Sequence, residues 1–127
     1  MKILVIEDDH DTRVMTVATI NHFIKKHKVD ATVTAVVNGI RGAKACKENA
    51  YDIVIIDMIL PMVSGIDTAR TIRHIGLSKN AVIIGNSVRE SDSKYVAKAM
   101  LAGVDYFAKK PLNFESVKRF LGIIKSE

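Results

Sequence analysis

Short apolar runs alternate with helical patterns five times along this chain, and few folds accommodate that order. The runs have the length of β-strands and cover residues 2–6, 31–36, 52–56, 81–85 and 104–108. The central runs are apolar through most of their length, which is typical of strands covered on both faces of a parallel sheet. We therefore predict an α/β fold, a single doubly wound five-stranded parallel sheet with five helices, because strand–helix alternation requires right-handed crossovers.

Apolar residues spaced three and four apart predict the five helices and the side that each turns toward the sheet. The residues placed on these inward sides are Val14, Val17, Ala18, Ile24, Ala43, Cys46, Ile66, Ala69, Ile72, Val96, Ala97, Met100, Leu101, Phe114, Val117, Leu121 and Ile124. The predicted N-caps are Asp11, Asn38, Ser64, Ser91 and Asn113. Gly103 follows the fourth helix, as a C-cap glycine does.

Length and composition fit one globular domain over residues 1–127. The chain is 48% hydrophobic and 26% charged, and its apolar runs fall far short of the about 20 residues that a membrane helix needs. The lone cysteine, Cys46, excludes an internal disulfide, so we expect a cytoplasmic protein. The last helix ends close to residue 127, which fits either a stand-alone domain or one from which an output domain has been removed.

The net charge of +5 comes from basic residues that are scattered along the chain rather than gathered into one run. No basic run interleaves with aromatic residues, and neither zinc-finger nor RNA-recognition spacing is present. We interpret these lysines and arginines as solvated helix faces, and we expect no direct contact of this domain with nucleic acid.

Polar side chains follow four of the five predicted strands at the point where each strand ends. They are Glu7, Asp8 and Asp9 after the first strand, Asp57 after the third, Ser87 after the fourth and Lys110 after the fifth. Because the carboxyl ends of parallel strands lie at one edge of the sheet, we expect these groups to meet in one crevice. Asp57 stands between apolar residues, where an isolated carboxylate without a partner would be costly.

Carboxylates that converge in one crevice repel one another and require a cation. An oxygen-rich site without a histidine–cysteine cluster suits Mg²⁺, or Mn²⁺, rather than zinc. A metal held by carboxylates beside a lysine and a hydroxyl can neutralise a phosphoryl group, and a carboxylate nucleophile can accept that group as an acyl phosphate. Asp57 is the candidate acceptor because it is central in the sheet.

With these residues in this order, the chain resembles the receiver domain of bacterial response regulators, the phosphoacceptor module of two-component signalling, along its whole length. The matching elements are the acidic pair in LVIEDD, the D-x-x-x-P-x-x-x-G pattern of Asp57, Pro61 and Gly65, and the pair Lys110 and Pro111. The resemblance implies a flavodoxin-like sheet of order 2-1-3-4-5, as in chemotaxis regulators. It also implies a cis bond before Pro111.

The same resemblance implies a role for each residue of the metal site. Asp57 becomes the phosphorylation site and a metal ligand. Asp8 binds the metal directly, and Glu7 binds it through water. Ile59, two residues beyond the acceptor, gives its backbone carbonyl to the metal. Asp9 lies next to these ligands without being one of them.

Two positions depart from the family pattern. The switch hydroxyl normally ends a wholly apolar fourth strand, whereas here Asn86 and Ser87 end it. Counting without gaps from Asp57 selects Ser87, but Asn86 remains an alternative whose amide can also donate a hydrogen bond. The second departure is Ile59, whose bulky apolar side chain is expected to overhang the phosphoryl site and to slow the attack of water.

The resemblance also implies how a phosphoryl group becomes a signal. Lys110 pairs with the phosphoryl oxygens, and Ser87 swings toward them, which opens space for the aromatic residue three before the lysine, Phe107. The surface that changes is the fourth helix, fifth strand and fifth helix, residues 91–124. We expect it to meet an acidic partner or a second copy of the chain. The phosphodonor is expected to be a histidine kinase or a phosphotransfer protein, with a small donor such as acetyl phosphate as a substitute.

Three other functions fit parts of the sequence. An aspartyl-phosphate-forming phosphohydrolase of similar topology carries a second acid two residues after its nucleophile, where this chain has Ile59. A nucleotide- or flavin-binding module needs a glycine-rich loop after the first strand, where this chain has EDDHD. Nucleic-acid binding rests on charge alone. A signalling switch that is not an enzyme, beyond Mg²⁺-dependent self-phosphorylation and autodephosphorylation, accounts for all the motifs.

Overall fold

The computed structural model describes residues 1–87 and 93–125, with side chains described as far as Gly122. The elements in chain order are β1 (Lys2–Ile6), α1 (His10–Lys26), β2 (Thr32–Val36), α2 (Gly39–Glu48), β3 (Ile53–Asp57), α3 (Gly65–His74), β4 (Val82–Ser87), α4 (Ser93–Ala102), β5 (Tyr106–Lys109) and α5 (Phe114–Lys125). The predicted cap Ser91 lies outside the described residues. Within the described ranges, every helix is too short or too polar to cross a lipid bilayer.

All five strands pair in parallel and form one sheet in the order β2-β1-β3-β4-β5. The predicted doubly wound α/β fold and its strand order are therefore confirmed. After β1 the chain adds β2 on one side of this strand, whereas β3 and the later strands are added on the other side. In folds of this kind a binding crevice opens beyond the carboxyl ends of the two strands at this switch point, here β1 and β3.

Alternate residues of the central strands enter two hydrophobic cores, one on each face of the sheet. Val54 and Ile56 of β3 pack with α2, α3 and α4, whereas Ile53 and Ile55 pack with α1 and α5. Each such side chain, when fully buried, stabilises the fold by roughly 1.5–3 kcal/mol. Because strand side chains alternate between faces, Asp57 at the end of β3 belongs to the face that α1 and α5 cover.

Most predicted helix caps are present. Asn38, Ser64 and Asn113 each accept a hydrogen bond from a backbone N–H three residues later. Gly103 follows α4 with a φ of +115°, in the region that favours glycine. The prediction of Asp11 as the first N-cap is wrong, because α1 begins at His10 and Asp9 caps it.

Helix α1 turns a different side to the sheet than its spacing predicts. Val14 and Ala18, both predicted inward, are exposed, and the buried residues are Thr16, Ile20 and Phe23. The larger side chains Ile20 and Phe23 bury more apolar area than Val14 and Ala18 would, and the helix rotates to place them in the core.

Helix α4 departs from the prediction in the same way. Ala99 and Ala102 are buried, whereas Met100 is exposed and Leu101 is 91% exposed. The two alanines therefore enter the core, whereas the larger Met100 and Leu101 remain in contact with water.

Candidate functional site

Three carboxylates meet beyond the carboxyl ends of β1 and β3. Oxygen atoms of Glu7, Asp8 and Asp57 lie within 4.8 Å of one another. Glu7 is 3% exposed and Asp57 is 9% exposed, whereas Asp8 is open to solvent. Glu7 directly continues β1, and Asp57 is the last residue of β3, so the pairing of these strands brings the acids together.

Lys110, directly after β5, reaches across β4 to two of these acids. Its Nζ contacts Oε1 of Glu7 and lies 3.2 Å from Oδ2 of Asp57. Burial alone would lower the pKa of Lys110, but the hydrogen bond to Glu7 and the charge of Asp57 raise it above its usual value. The ammonium group therefore remains charged at neutral pH.

Glu7 differs from its neighbours because it is enclosed. Burial, opposed by the hydrogen bond from Lys110, raises the pKa of Glu7 to about 7. Its backbone carbonyl accepts a hydrogen bond at 3.0 Å from the guanidinium of Arg13, which also reaches the carbonyl of Asp8 at 3.2 Å. These two hydrogen bonds hold the turn after β1. They could not be predicted from the sequence, because nothing distinguishes Arg13 from the other polar residues of its helix.

Asp57 is oriented by the backbone that follows it. The N–H of Ile59 donates to Oδ1 of Asp57 at 3.0 Å, which leaves Oδ2 to Lys110. The residue Ile59 itself is 73% exposed. The position that would hold a second acid in a phosphohydrolase therefore supplies a backbone donor and an apolar side chain.

Gly65 explains the last letter of the D-x-x-x-P-x-x-x-G pattern. A Cβ at Gly65 would lie 2.6 Å from the carbonyl oxygen of Asp57 and 2.8 Å from Cα of Met58. The N–H of Gly65 donates to the carbonyl of Met58 at 3.3 Å. Only a glycine allows α3 to begin this close to the end of β3, and so to hold the backbone that carries Asp57.

We expect Gly65→Ala to lower the free energy of unfolding by about 1–3 kcal/mol, because the added methyl overlaps backbone atoms that cannot rotate away. Urea unfolding followed by circular dichroism measures the loss. The control is Gly122→Ala in α5, where a Cβ meets nothing within 4 Å. That change should stabilise the chain slightly, since alanine favours helix more than glycine does. Equal stability of the two variants would contradict the proposed role of Gly65.

Asp9, the third acid of the run after β1, is the N-cap of α1 and does not belong to the carboxylate cluster. Its carboxylate accepts hydrogen bonds from the N–H of Thr12 at 2.9 Å and from the Thr12 hydroxyl at 2.6 Å. These bonds lower the pKa of Asp9 below its usual value. Asp9 is accordingly not one of the three acids whose oxygens gather near Asp57.

Asn86 and Ser87, the two candidates for the switch residue at the end of β4, lie on opposite faces of the sheet. Asn86 pairs in register with Asp57 and lies on the same face, 3% exposed, and its Oδ1 has no hydrogen-bond partner within the described residues. Ser87 is the next residue and therefore belongs to the opposite face, the face of Phe107. The backbone carbonyl of Ser87 accepts a hydrogen bond from the N–H of Lys110 at 2.6 Å.

The chemistry of the donor set fits a hard divalent cation. Glu7, Asp8 and Asp57 offer carboxylate oxygens alone, which Mg²⁺ prefers, and the exposure of Asp8 leaves room for the water molecules that this ion retains. The carbonyl of Ile59, implied by the family resemblance, remains a prediction. The bond between Lys110 and Pro111 is cis, as the resemblance implies.

The sequence analysis predicted the acids of the cluster but not all of the residues that surround them. Tyr95 on α4 is one such residue, since burial and then the charge of Asp57 raise its pKa. Its phenol is therefore close enough to Asp57 to experience that charge. Asn86 is another, because nothing in an apolar strand pattern indicates which face a polar residue will occupy.

Comparison with known proteins identifies the family that the sequence motifs resemble. The family model for the response regulator receiver domain matches residues 3–121. The cell cycle transcriptional regulator CtrA of Caulobacter vibrioides is 30% identical over 126 residues, which are 98% of this chain and 51% of that protein. The hybrid signal transduction histidine kinase G of Dictyostelium discoideum is 27% identical over 119 residues, 93% of this chain and 3% of that protein. The chain thus spans about half or less of the length of these relatives.

Among solved structures, the receiver domain of the sensor histidine kinase PA1611 from Pseudomonas aeruginosa superimposes with a TM-score of 0.80. The two are 21% identical, and the match covers 99% of this chain and 98% of that one. That structure contains a magnesium ion coordinated in its active site cleft. At this level of identity the likeness establishes the fold.

Proposed function

The chain belongs to the response regulator receiver domain family, and from this we propose that it accepts a phosphoryl group on Asp57 in a Mg²⁺-dependent reaction. The family is a signalling switch whose members receive phosphate from histidine kinases or phosphotransfer proteins, and the relatives of this chain include hybrid kinases. The observation that carries the proposal is the placement of the Lys110 ammonium on both Glu7 and Asp57, within a cluster of three carboxylates.

In the proposed reaction, a carboxylate oxygen of Asp57 forms a bond to phosphorus while the bond from phosphorus to the donor breaks. The donor, the imidazole of a phosphohistidine or the carboxylate of acetyl phosphate, leaves with the electron pair of the broken bond. The product is an acyl phosphate. The N–H of Ile59 holds the other carboxylate oxygen of Asp57 in place during the attack.

Charge neutralisation is the main task of the surrounding groups. Asp8 and Asp57 would hold Mg²⁺ directly and Glu7 would hold it through water, and the bound ion would supply positive charge for the phosphoryl oxygens. Lys110 supplies a second positive charge by moving from Glu7 and Asp57 to a phosphoryl oxygen. The Lys110 ammonium is already 3.2 Å from Oδ2 of Asp57 before a donor arrives, so little reorganisation of this side chain precedes the attack.

The direct test is intact mass spectrometry after incubation with acetyl phosphate. We expect a gain of one phosphoryl group with Mg²⁺ present and none with the metal removed by EDTA. Peptide mapping after reduction of the acyl phosphate with borohydride should place the modification on the segment that contains Asp57. Modification elsewhere, or uptake that does not depend on a divalent metal, would refute the proposal.

We propose further that the α4–β5–α5 surface carries the output, because β5 and α5 flank Lys110 and α4 follows the switch residue Ser87. The hydroxyl of Ser87 donates to the phosphoryl group, and Phe107 is the aromatic residue of this surface. Exposed Lys94, Lys98 and Lys109 give it a basic character that suits an acidic partner or a second copy of the chain.

Ile59 is proposed to lengthen the life of the phosphorylated state. The backbone N–H of Ile59 donates to Asp57 and the residue is exposed, so we propose that its apolar side chain shields the acyl phosphate from the water that would hydrolyse it. We expect Ile59→Asn to shorten the half-life several-fold, because a small polar side chain admits and orients water at that position. Loss of the phosphoryl mass after removal of the donor measures the half-life, and an unchanged value would contradict this role.

A further inference from the structure

Gly85 lies in the middle of β4, directly beside an aromatic residue of β5. The two strands pair in parallel with Gly85 opposite Phe107, so both residues belong to the same face of the sheet. A Cβ at Gly85 would lie 3.0 Å from both Cδ1 and Cε1 of the Phe107 ring and 3.1 Å from Sδ of Met58. The ring edge therefore occupies the space that the side chain of any other residue at position 85 would fill.

The contact also gives the direction in which the ring leans. Within the described residues, β5 is an edge strand that pairs with β4 alone, so a side chain on this face either leans over β4 or points away from the sheet toward solvent. Contact with Gly85 means that Phe107 leans over β4. The ring is partly buried there and packs against the core that β3 and β4 share with α4, to which Met58 also belongs.

Ser87 stands two residues beyond Gly85 on the same face, nearer the carboxyl end of the sheet. The three atoms nearest to a Cβ at position 85 belong to the Phe107 ring and to Met58, so the ring occupies the space at Gly85 with Ser87 in the position that it has in this structure.

We propose that Gly85 holds Phe107 in its inward position in the unphosphorylated chain, so that phosphorylation changes the α4–β5–α5 surface through Ser87 without a swing of the aromatic ring. The inference deepens the proposed function and, for its regulatory part, rests on it. The expectation that departure of Ser87 opens the space for Phe107 is replaced: the missing side chain at position 85 provides that space permanently. A partner that recognises the inward ring would then bind this chain appreciably without phosphorylation.

The experiment uses ¹⁹F NMR on protein labelled with 4-fluorophenylalanine at its four phenylalanines, with Phe107→Leu to assign the resonance of Phe107. Exposure of the ring is measured as line broadening by a soluble nitroxide. In the wild-type chain we expect the same broadening with and without Mg²⁺ and beryllofluoride, which imitates a phosphoryl group. Without these ligands, broadening should increase from wild type to Gly85→Ala to Gly85→Val, because each added methyl displaces the ring further.

Two results would overturn the inference. One is a wild-type Phe107 resonance that is strongly broadened alone and protected after beryllofluoride binds. The other is unchanged broadening in both Gly85 variants. If a variant fails to fold, the wild-type comparison alone decides. The backbone N–H of Ile59, bonded to Asp57, reports whether beryllofluoride binds. An unchanged Ile59 resonance would count against the proposed function, while the Gly85 comparison in the ligand-free chain still tests how the ring is held.

Discussion

Replacement of Asp57 by asparagine is expected to reduce phosphoryl uptake from acetyl phosphate below about one hundredth of the wild-type rate, because the amide lacks the nucleophilic oxygen that forms the acyl phosphate. Asparagine keeps the size of the side chain and the oxygen that accepts the N–H of Ile59, so the loop after β3 should keep its conformation. The measurement is intact mass in the presence of Mg²⁺, with far-ultraviolet circular dichroism to establish that the variant is folded.

The matched control is Asp30→Asn, the same chemical change at an exposed residue just before β2, on the opposite edge of the sheet. This variant should take up phosphate as the wild type does. Uptake by Asp57→Asn at the wild-type level would remove Asp57 from its role. Equal losses in both variants would mean that the assay responds to general charge and not to the acceptor.

The second large effect concerns Mg²⁺ affinity. We expect Asp8→Asn to raise the dissociation constant for Mg²⁺ by about tenfold or more, because the affinity of an oxygen site depends strongly on the charge of its ligands. Asp8 is the exposed member of the three-carboxylate cluster, and the contact from Lys110 goes to Glu7 and Asp57 instead. Its charge is therefore the one most available to an incoming ion. Calorimetric titration of the metal without a phosphodonor measures this constant apart from any phosphoryl transfer.

Asp9→Asn is the control for this prediction, one residue along the chain. Asparagine is an equally good N-cap, so Thr12 keeps its hydrogen bond and α1 keeps its start. The dissociation constant should change little. If Asp9→Asn weakened Mg²⁺ binding more than Asp8→Asn, the assignment of the acids after β1 would be wrong by one residue.

The gathering of Glu7, Asp8, Asp57 and Lys110 follows from pattern alone. Each stands at the end of an apolar strand, and parallel strands in a doubly wound sheet end at the same edge. The sheet and the cluster agree with that expectation, and the strand order agrees with the one that the family resemblance implies. Local sequence suffices here because strand length and polarity mark where each strand ends, without knowledge of what packs on it.

Which side of a helix is buried could not be predicted in the same way. Spacing placed Leu101 inward, yet Ala99 and Ala102 face the sheet. Apolar residues occupy more than one side of α4, so periodicity leaves several rotations nearly equal. The packing of α4 in the folded chain selects the side that carries Ala99 and Ala102.

Alternation of strands and helices, with acids and a lysine at the strand ends, was enough to predict a doubly wound parallel sheet and the meeting of these side chains in one crevice. Three features depend on contacts between residues distant in the chain: the seat of Phe107 over Gly85, the face that Asn86 shares with Asp57, and the hydrogen bonds from Arg13 to the turn after β1. Sequence spacing records the period of an element. The register between strands and the packing of helices set which side chains touch, and these arise only when the whole chain is folded.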